Sequence, residues 1–97
     1  MEKKIINTSN SPAPIGPYNQ AILKGNTLFI SGQIALDAET MKLSNKSIND
    51  ETHQVMQNLK NILEEANMNF NNVVKSSIFL SDMSLFKEVN KIYGSYL

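Results

Sequence analysis

The sequence predicts a single small α+β domain, and three observations carry that prediction. A turn signal, Gly25-Asn26, separates two β-rich runs. A stripe of apolar residues at helical spacing follows. Beyond it, a β-branched run and a second helical stripe complete the order β-β-β-α-β-α, a hairpin joined to a β-α-β unit. The length agrees, since 97 residues hold one core and not two.

Residues 3–7 read as a short strand. Residues 8–17 contain all three prolines, Pro12, Pro14 and Pro17, and read as a loop, because proline lacks the donor that a helix or strand interior needs. Residues 18–23 and 27–36 read as the second and third strands around Gly25-Asn26. Ser31-Gly32 interrupts the third, where a glycine marks a bulge or a close backbone approach. Residues 37–47 are polar and loop-like. A helix is predicted over 50–67, with Val55, Leu59, Ile62, Leu63 and Ala66 on one stripe. Asn49 is its expected N-cap, and Asp50 and Glu51 suit the positive helix start. Four asparagines within 67–72 suit a C-cap and turn. Residues 73–80 are rich in β-branched side chains and read as a strand. Asp82 is placed to cap a second helix over 83–96, striped by Leu85, Val89, Ile92 and Tyr96, with Phe86 and Tyr93 beside them.

Composition removes several classes of chemistry. Nine lysines balance nine acidic residues, and there is no arginine. A neutral chain has no basic field for nucleic acid or anionic membranes, so neither partner is expected. Near-zero charge also resists self-association weakly, which suits an oligomer. The absence of cysteine excludes disulfides, thiolate metal sites and a cysteine nucleophile. No apolar run approaches the roughly 20 residues of a membrane span, and the first residues carry no signal-peptide h-region. A cytoplasmic protein is expected.

Few side chains are placed for catalysis. His53 is the only histidine and reads as a surface residue. Glu64-Glu65 read as a solvated helix face. The four glycines are too scattered for a phosphate loop. Two places remain. IGPY, at 15–18, is a proline-held turn that delivers Tyr18 to a strand. SGQ, at 31–33, sets the Ser31 hydroxyl on an interrupted strand. Both hydroxyls donate and accept hydrogen bonds and can orient a small polar substrate. The plain alternative is a buried tyrosine and a strand bulge.

The stretches SPAPIGPYNQA, LFISGQIAL, QVMQNLKNILEEAN and VVKSSIFLSDMSLFKEVNKIYGSY, in this order and spacing, resemble the RidA/YjgF family of reactive-intermediate deaminases, also called the L-PSP endoribonuclease family. The resemblance covers residues 3–96. It implies a chorismate-mutase-like α+β fold, a mixed sheet with two helices on one face. It implies a homotrimer with small-molecule clefts between adjacent subunits, and no cofactor or metal. The implied activity is that of a 2-iminobutanoate/2-iminopropanoate deaminase, which hydrolyses reactive enamines and imines to 2-oxo acids and ammonia. Matching motifs carry the family's substrate-binding residues onto Tyr18, Ser31, Gly32 and Asn90, with Tyr93 one turn beyond Asn90. Gly32 would allow a close backbone approach.

The sequence also departs from the family pattern. Family members grip the substrate carboxylate with an arginine from a later strand, a geometry that suits a planar guanidinium. A glutamate near their C-terminus positions the attacking water. Both belong to the family's last quarter. The chain is therefore expected to be one RidA-like domain over 1–97, incomplete at its C-terminus and without the closing strands, and no catalytic residue is assigned. Three functions follow as expectations: a deaminase of much reduced activity, a non-catalytic module that binds a small acid or a protein, and, with least support, a ribonuclease.

Overall fold

A computed structural model describes residues 3–16 and 18–97. Pro17, the last proline of the predicted loop, lies outside the described residues, as do Met1 and Glu2. The elements are β1 (Lys3–Ile6), β2 (Ala21–Lys24), β3 (Thr27–Ile30), α1 (Ile48–Glu65) and α2 (Phe86–Tyr96). The three strands form one antiparallel sheet in the order β1-β2-β3.

The register divides the sheet into two faces. Ile6 pairs with Ala21, which pairs with Ile30, while Leu23 pairs with Leu28. These side chains turn inward onto α1, where Ile62 and Ala66 complete the core. Ile62 is 0% exposed. The opposite face carries the row Ile5, Ile22 and Phe29, and Ile5 and Phe29 lie exposed on it. The hairpin turn forms as expected at Gly25-Asn26. Only Gly25 needs the left-handed region, at φ 61°, so glycine leads the two-residue turn.

Helix α1 starts earlier than the sequence suggests. Ser47, not Asn49, is the N-cap: its Oγ accepts from the Asp50 N–H at 3.1 Å. The hydroxyl wins because Ser47 is extended at φ −147° while Asn49 already lies within the first turn. Asp50 and Glu51 still occupy that turn. At the other end Asn67 adopts φ 59°. The Met68 N–H reaches the Leu63 carbonyl and the Asn67 N–H reaches Glu64, which closes the helix as a Schellman motif. Helix α2 packs on α1. His53 is exposed, as expected, but it is not idle: its Nδ1 lies 2.8 Å from the Tyr96 hydroxyl, tying the two helices together.

The sheet is smaller than predicted. The second strand begins at Ala21 and not at residue 18, and the third ends at Ile30, not at residue 36. Gln20 and Ser31, which flank these ends, are diverted into side-chain bonds described below. Beyond Ile30 one further rung, from the Ser31 N–H to the Gln20 carbonyl, and an isolated bridge, Leu36 to Leu43, continue the pairing. Residues 73–80, predicted as a strand, follow a short 3-10 turn (Phe70–Asn72) and have no ladder partner among the described residues. The mixed sheet that the resemblance implies is thus antiparallel over the described strands. A β-branched composition favours extended backbone, but a strand also needs a neighbour. Val74 is 98% exposed and Phe79 95%. The Ser76 and Tyr93 hydroxyls are hydrogen-bonded and hold this run against α2.

Two exposed carboxylates cap turns. Asp37 accepts from the N–H groups of Thr40 and Glu39 at 3.0 and 2.9 Å. These bonds, that of Thr40 foremost, hold its carboxyl below the usual carboxylate range. Asp82 caps a 3-10 turn, Met83–Leu85, that leads into α2, and not α2 itself, which starts at Phe86 and not at residue 83. It accepts from the Ser84 N–H at 2.8 Å, and this likewise lowers its pKa. A carboxyl with a depressed folded pKa stabilises the fold above its unfolded value, about 3.9, and loses that contribution as pH falls through the folded value. The double variant Asp37→Asn/Asp82→Asn is expected to show a shallower loss of stability as pH falls below about 4 than the unmodified chain. Urea denaturation across that range checks it, and parallel curves would refute it.

Candidate functional site

The proline loop and the run after β3 face each other across a depression of about 200 Å³, whose lining includes Pro12, Ile15, Tyr18, Ser31, Gly32 and Gln33. Among the described residues no charged side chain lines it. Three of the four predicted site residues, Tyr18, Ser31 and Gly32, therefore meet in one cleft.

Local chemistry explains why. Gly16 sits at φ 111°, and a Cβ there would meet the Tyr18 ring at 3.4 Å. The turn thus needs glycine, and the ring lies over it. The Tyr18 N–H donates to the Gly16 carbonyl at 3.0 Å, which holds the tyrosine at the cleft mouth, where it is exposed. Across the cleft, the Ser31 N–H and Oγ both donate to the Gln20 carbonyl, at 2.9 and 3.0 Å. With its proton engaged, the Ser31 oxygen offers lone pairs to a ligand. It accepts, and no adjacent base is present in the lining to make it a nucleophile.

Gly32 lies on the open side of the cleft. A Cβ there would meet nothing within 4 Å. No atom of the chain's own makes the close approach, and the space beside Gly32 is open. Asn90 is not brought to this cleft. It is exposed on α2 and lines a second depression of about 130 Å³ with Ile78, Leu80, Met83, Phe86 and Val89. Among the described residues no three His, Asp or Glu side chains gather, and no helix is long and apolar enough to cross a membrane.

Two buried amides that build the cleft escaped the sequence reading. Gln20 is 2% exposed. Its Nε2 donates to the carbonyls of Thr8, Ser11 and Pro12 at 3.0, 3.2 and 2.8 Å, and its Oε1 accepts from the Thr8 N–H at 2.6 Å. One side chain thus supplies the main-chain partners that a proline-rich loop cannot find in a ladder. Asn58 is 1% exposed on α1 and bonds the run after β3. For Asn58 a signal exists in the sequence: it sits three residues after Val55 and four before Ile62, on the apolar stripe itself.

The endoribonuclease L-PSP family model matches residues 8–97. The chain belongs to this RidA/YjgF family. It is 47% identical to a RutC family protein of Pyrococcus horikoshii over 97% of its own length and 75% of that protein. It is 44% identical to the 2-iminobutanoate/2-iminopropanoate deaminase of Mus musculus, over 97% of this chain and 70% of the mouse protein. Among solved structures, RidA from an Antarctic Psychrobacter superposes with a TM-score of 0.92 at 39% identity, covering 97% of this chain and 76% of that one. In this chain Tyr18 and Ser31 come to one cleft by way of loop and strand-end geometry, not through the sheet alone.

Proposed function

We propose that the Tyr18–Ser31 cleft of this RidA-family chain binds small 2-imino acids, as their 2-iminopropanoate-class members, and promotes their hydrolysis. Water adds to the C=N carbon, the C–N bond breaks, and the products are the 2-oxo acid and ammonia. The observation that supports this reading is that Tyr18 and Ser31 line one cleft that has no charged side chain among the described residues, in a chain 44% identical to a named deaminase of that class. The Ser31 oxygen would accept from the imine N–H, and Tyr18 would close over the ligand. In a homotrimer the open side at Gly32 would meet a neighbouring subunit, whose helix could contribute Asn90. The exposed row Ile5 and Phe29 supports such an assembly. We place the reaction in the cytoplasm, without cofactor.

No arginine occurs in the 97 residues. A substrate carboxylate therefore meets hydroxyls and N–H groups in place of a guanidinium. Loss of one partner of a charge pair costs about 2–5 kcal/mol, so turnover is expected roughly 10²-fold or more below that of the longer mouse relative. Freshly generated 2-iminopropanoate, followed by ammonia release against buffer, checks this. Weak acceleration that Ser31→Ala removes is the expected result. No acceleration by the folded chain would overturn the hydrolytic reading, and equal rates for the two proteins would overturn the argument from arginine.

One observation favours a second reading. Among the described residues Tyr18 is the only titratable side chain lining the cleft, which suits binding of a small acid without chemistry. A 2-oxo acid that raises the unfolding midpoint in the absence of turnover would support it. A ribonuclease is disfavoured by the zero net charge and by His53 lying on the helix pair, away from the cleft.

A further inference from the structure

We propose that Asn58 is a positioning residue that sets the width of the Tyr18–Ser31 cleft by holding both of its walls from one place on α1. The proposal rests on the ligand-binding reading of that cleft. The Asn58 Nδ2 donates to the carbonyls of Ile34 and Leu36 at 3.1 and 3.0 Å, and both of those residues line the cleft. Its main-chain carbonyl accepts the Ser11 hydroxyl at 2.7 Å, beside Pro12 on the opposite wall. The Gln54 Nε2 donates to the Asn58 Oδ1 at 3.0 Å, which fixes the amide so that its N–H groups face the wall.

Asparagine is a poor choice here on general grounds. It is a weak helix former, and burying an amide is costly unless it is bonded. Leucine would extend the apolar stripe. What asparagine adds is a grip on irregular backbone. Residues 31–35 belong to no strand, and the proline loop has no ladder either. The two walls lie 22–24 and 47 residues from Asn58 in sequence, so this contact joins segments that share no other regular pairing. One turn further along α1, the Asn61 Nδ2 donates to the Asn10 carbonyl at 2.7 Å and fastens the outer end of the proline loop. Gln20, just before β2, joins the inner ends of the two walls, and the distance from the helix to each sets their separation further along.

The test uses the full chain and two variants. Asn58→Ser removes the amide that spans both carbonyls. Ser11→Ala removes one hydroxyl from the other wall. The probes are pyruvate and its bulkier analogue 3-methyl-2-oxobutanoate, titrated by NMR, with amide hydrogen exchange on the same samples. In Asn58→Ser the Leu36 and Ser44 amides, which bond the Ile34 and Ala35 carbonyls, are expected to exchange about tenfold faster while α1 keeps its protection. In Ser11→Ala the effect falls on the Ser11 amide. Both variants should shift the affinity ratio toward the bulkier acid by about threefold or more. A loss of general stability would weaken both acids alike and would speed exchange throughout α1; that outcome overturns the proposal. So do folded variants with unchanged exchange and unchanged selectivity. If neither acid binds the unmodified chain, the ligand reading falls, and exchange alone decides whether Asn58 holds the walls. If Asn58→Ser does not fold, Ser11→Ala gives the same decision from the opposite wall.

Discussion

Gln20→Leu is expected to destabilise the protein by about 3 kcal/mol and to release the proline loop. Leucine fills a similar volume, so cavity formation is not the cause. The loss comes from the Thr8 N–H and the Thr8, Ser11 and Pro12 carbonyls, all of which would lose the side chain that now bonds them. Each buried group left unpaired costs about 1–3 kcal/mol, reduced where water can reach it. The whole domain is stable by only about 5–15 kcal/mol. Urea denaturation monitored by circular dichroism measures the effect. Gln20→Glu discriminates the cause, since it keeps an acceptor for Thr8 but brings a charge toward three carbonyls, and it should fare no better than leucine. A leucine variant within about 0.5 kcal/mol of the unmodified protein would show that the loop needs no such partner.

Ile62→Ala should cost as much or more. Ile62 is fully buried between α1 and the sheet, against Ile6 and Ala21. Truncating it removes three carbons and leaves a cavity, for which about 2–5 kcal/mol is typical. For a domain of this size each kcal/mol lowers the thermal midpoint by about 4–8 °C. Ile62→Val, which removes a single methylene, should lose about 1 kcal/mol. Equal midpoints for the alanine variant and the unmodified chain would place the core elsewhere. The two predictions separate the contributions: Ile62 acts on the sheet–helix core, and Gln20 acts on the loop that forms one wall of the cleft.

The parts of the fold that were legible in the sequence are those governed by neighbours in the chain. Gly25-Asn26 sets a turn by local backbone freedom. The stripe ending in Ile62, Leu63 and Ala66 shows its helix by spacing, and Asp82 caps a turn two residues on. The sequence misplaces the helix start by two residues, at Asn49 and not at Ser47, because the backbone angle that makes Ser47 the cap is not written in it. The parts that were not legible depend on distant partners. Residues 73–80 have strand composition but no strand beside them. The β2–β3 ladder stops at Ser31 because the Gln20 N–H turns to the Asn7 Oδ1, thirteen residues back, so only the Ser31 N–H keeps a rung on the Gln20 carbonyl. Tyr18, Ser31 and Gly32 were found through the motifs IGPY and SGQ. Gln20 and Asn58 were missed because amides are usually solvated, and nothing in a string of letters says that a glutamine faces three carbonyls.

The unpaired run at 73–80 bears on how the chain reaches its folded state. Folding of one molecule is first order in concentration, whereas the meeting of two exposed extended segments is second order. Residues 74–80 make no main-chain hydrogen bond among the described residues, and Val74 and Phe79 stand almost fully in solvent. Such a segment can template a neighbour's backbone before either molecule has buried it. The fraction of protein that stays in solution should therefore fall as concentration rises during refolding, even at constant temperature and pH. Yield becomes a race between two rates, and dilution is the variable that decides it.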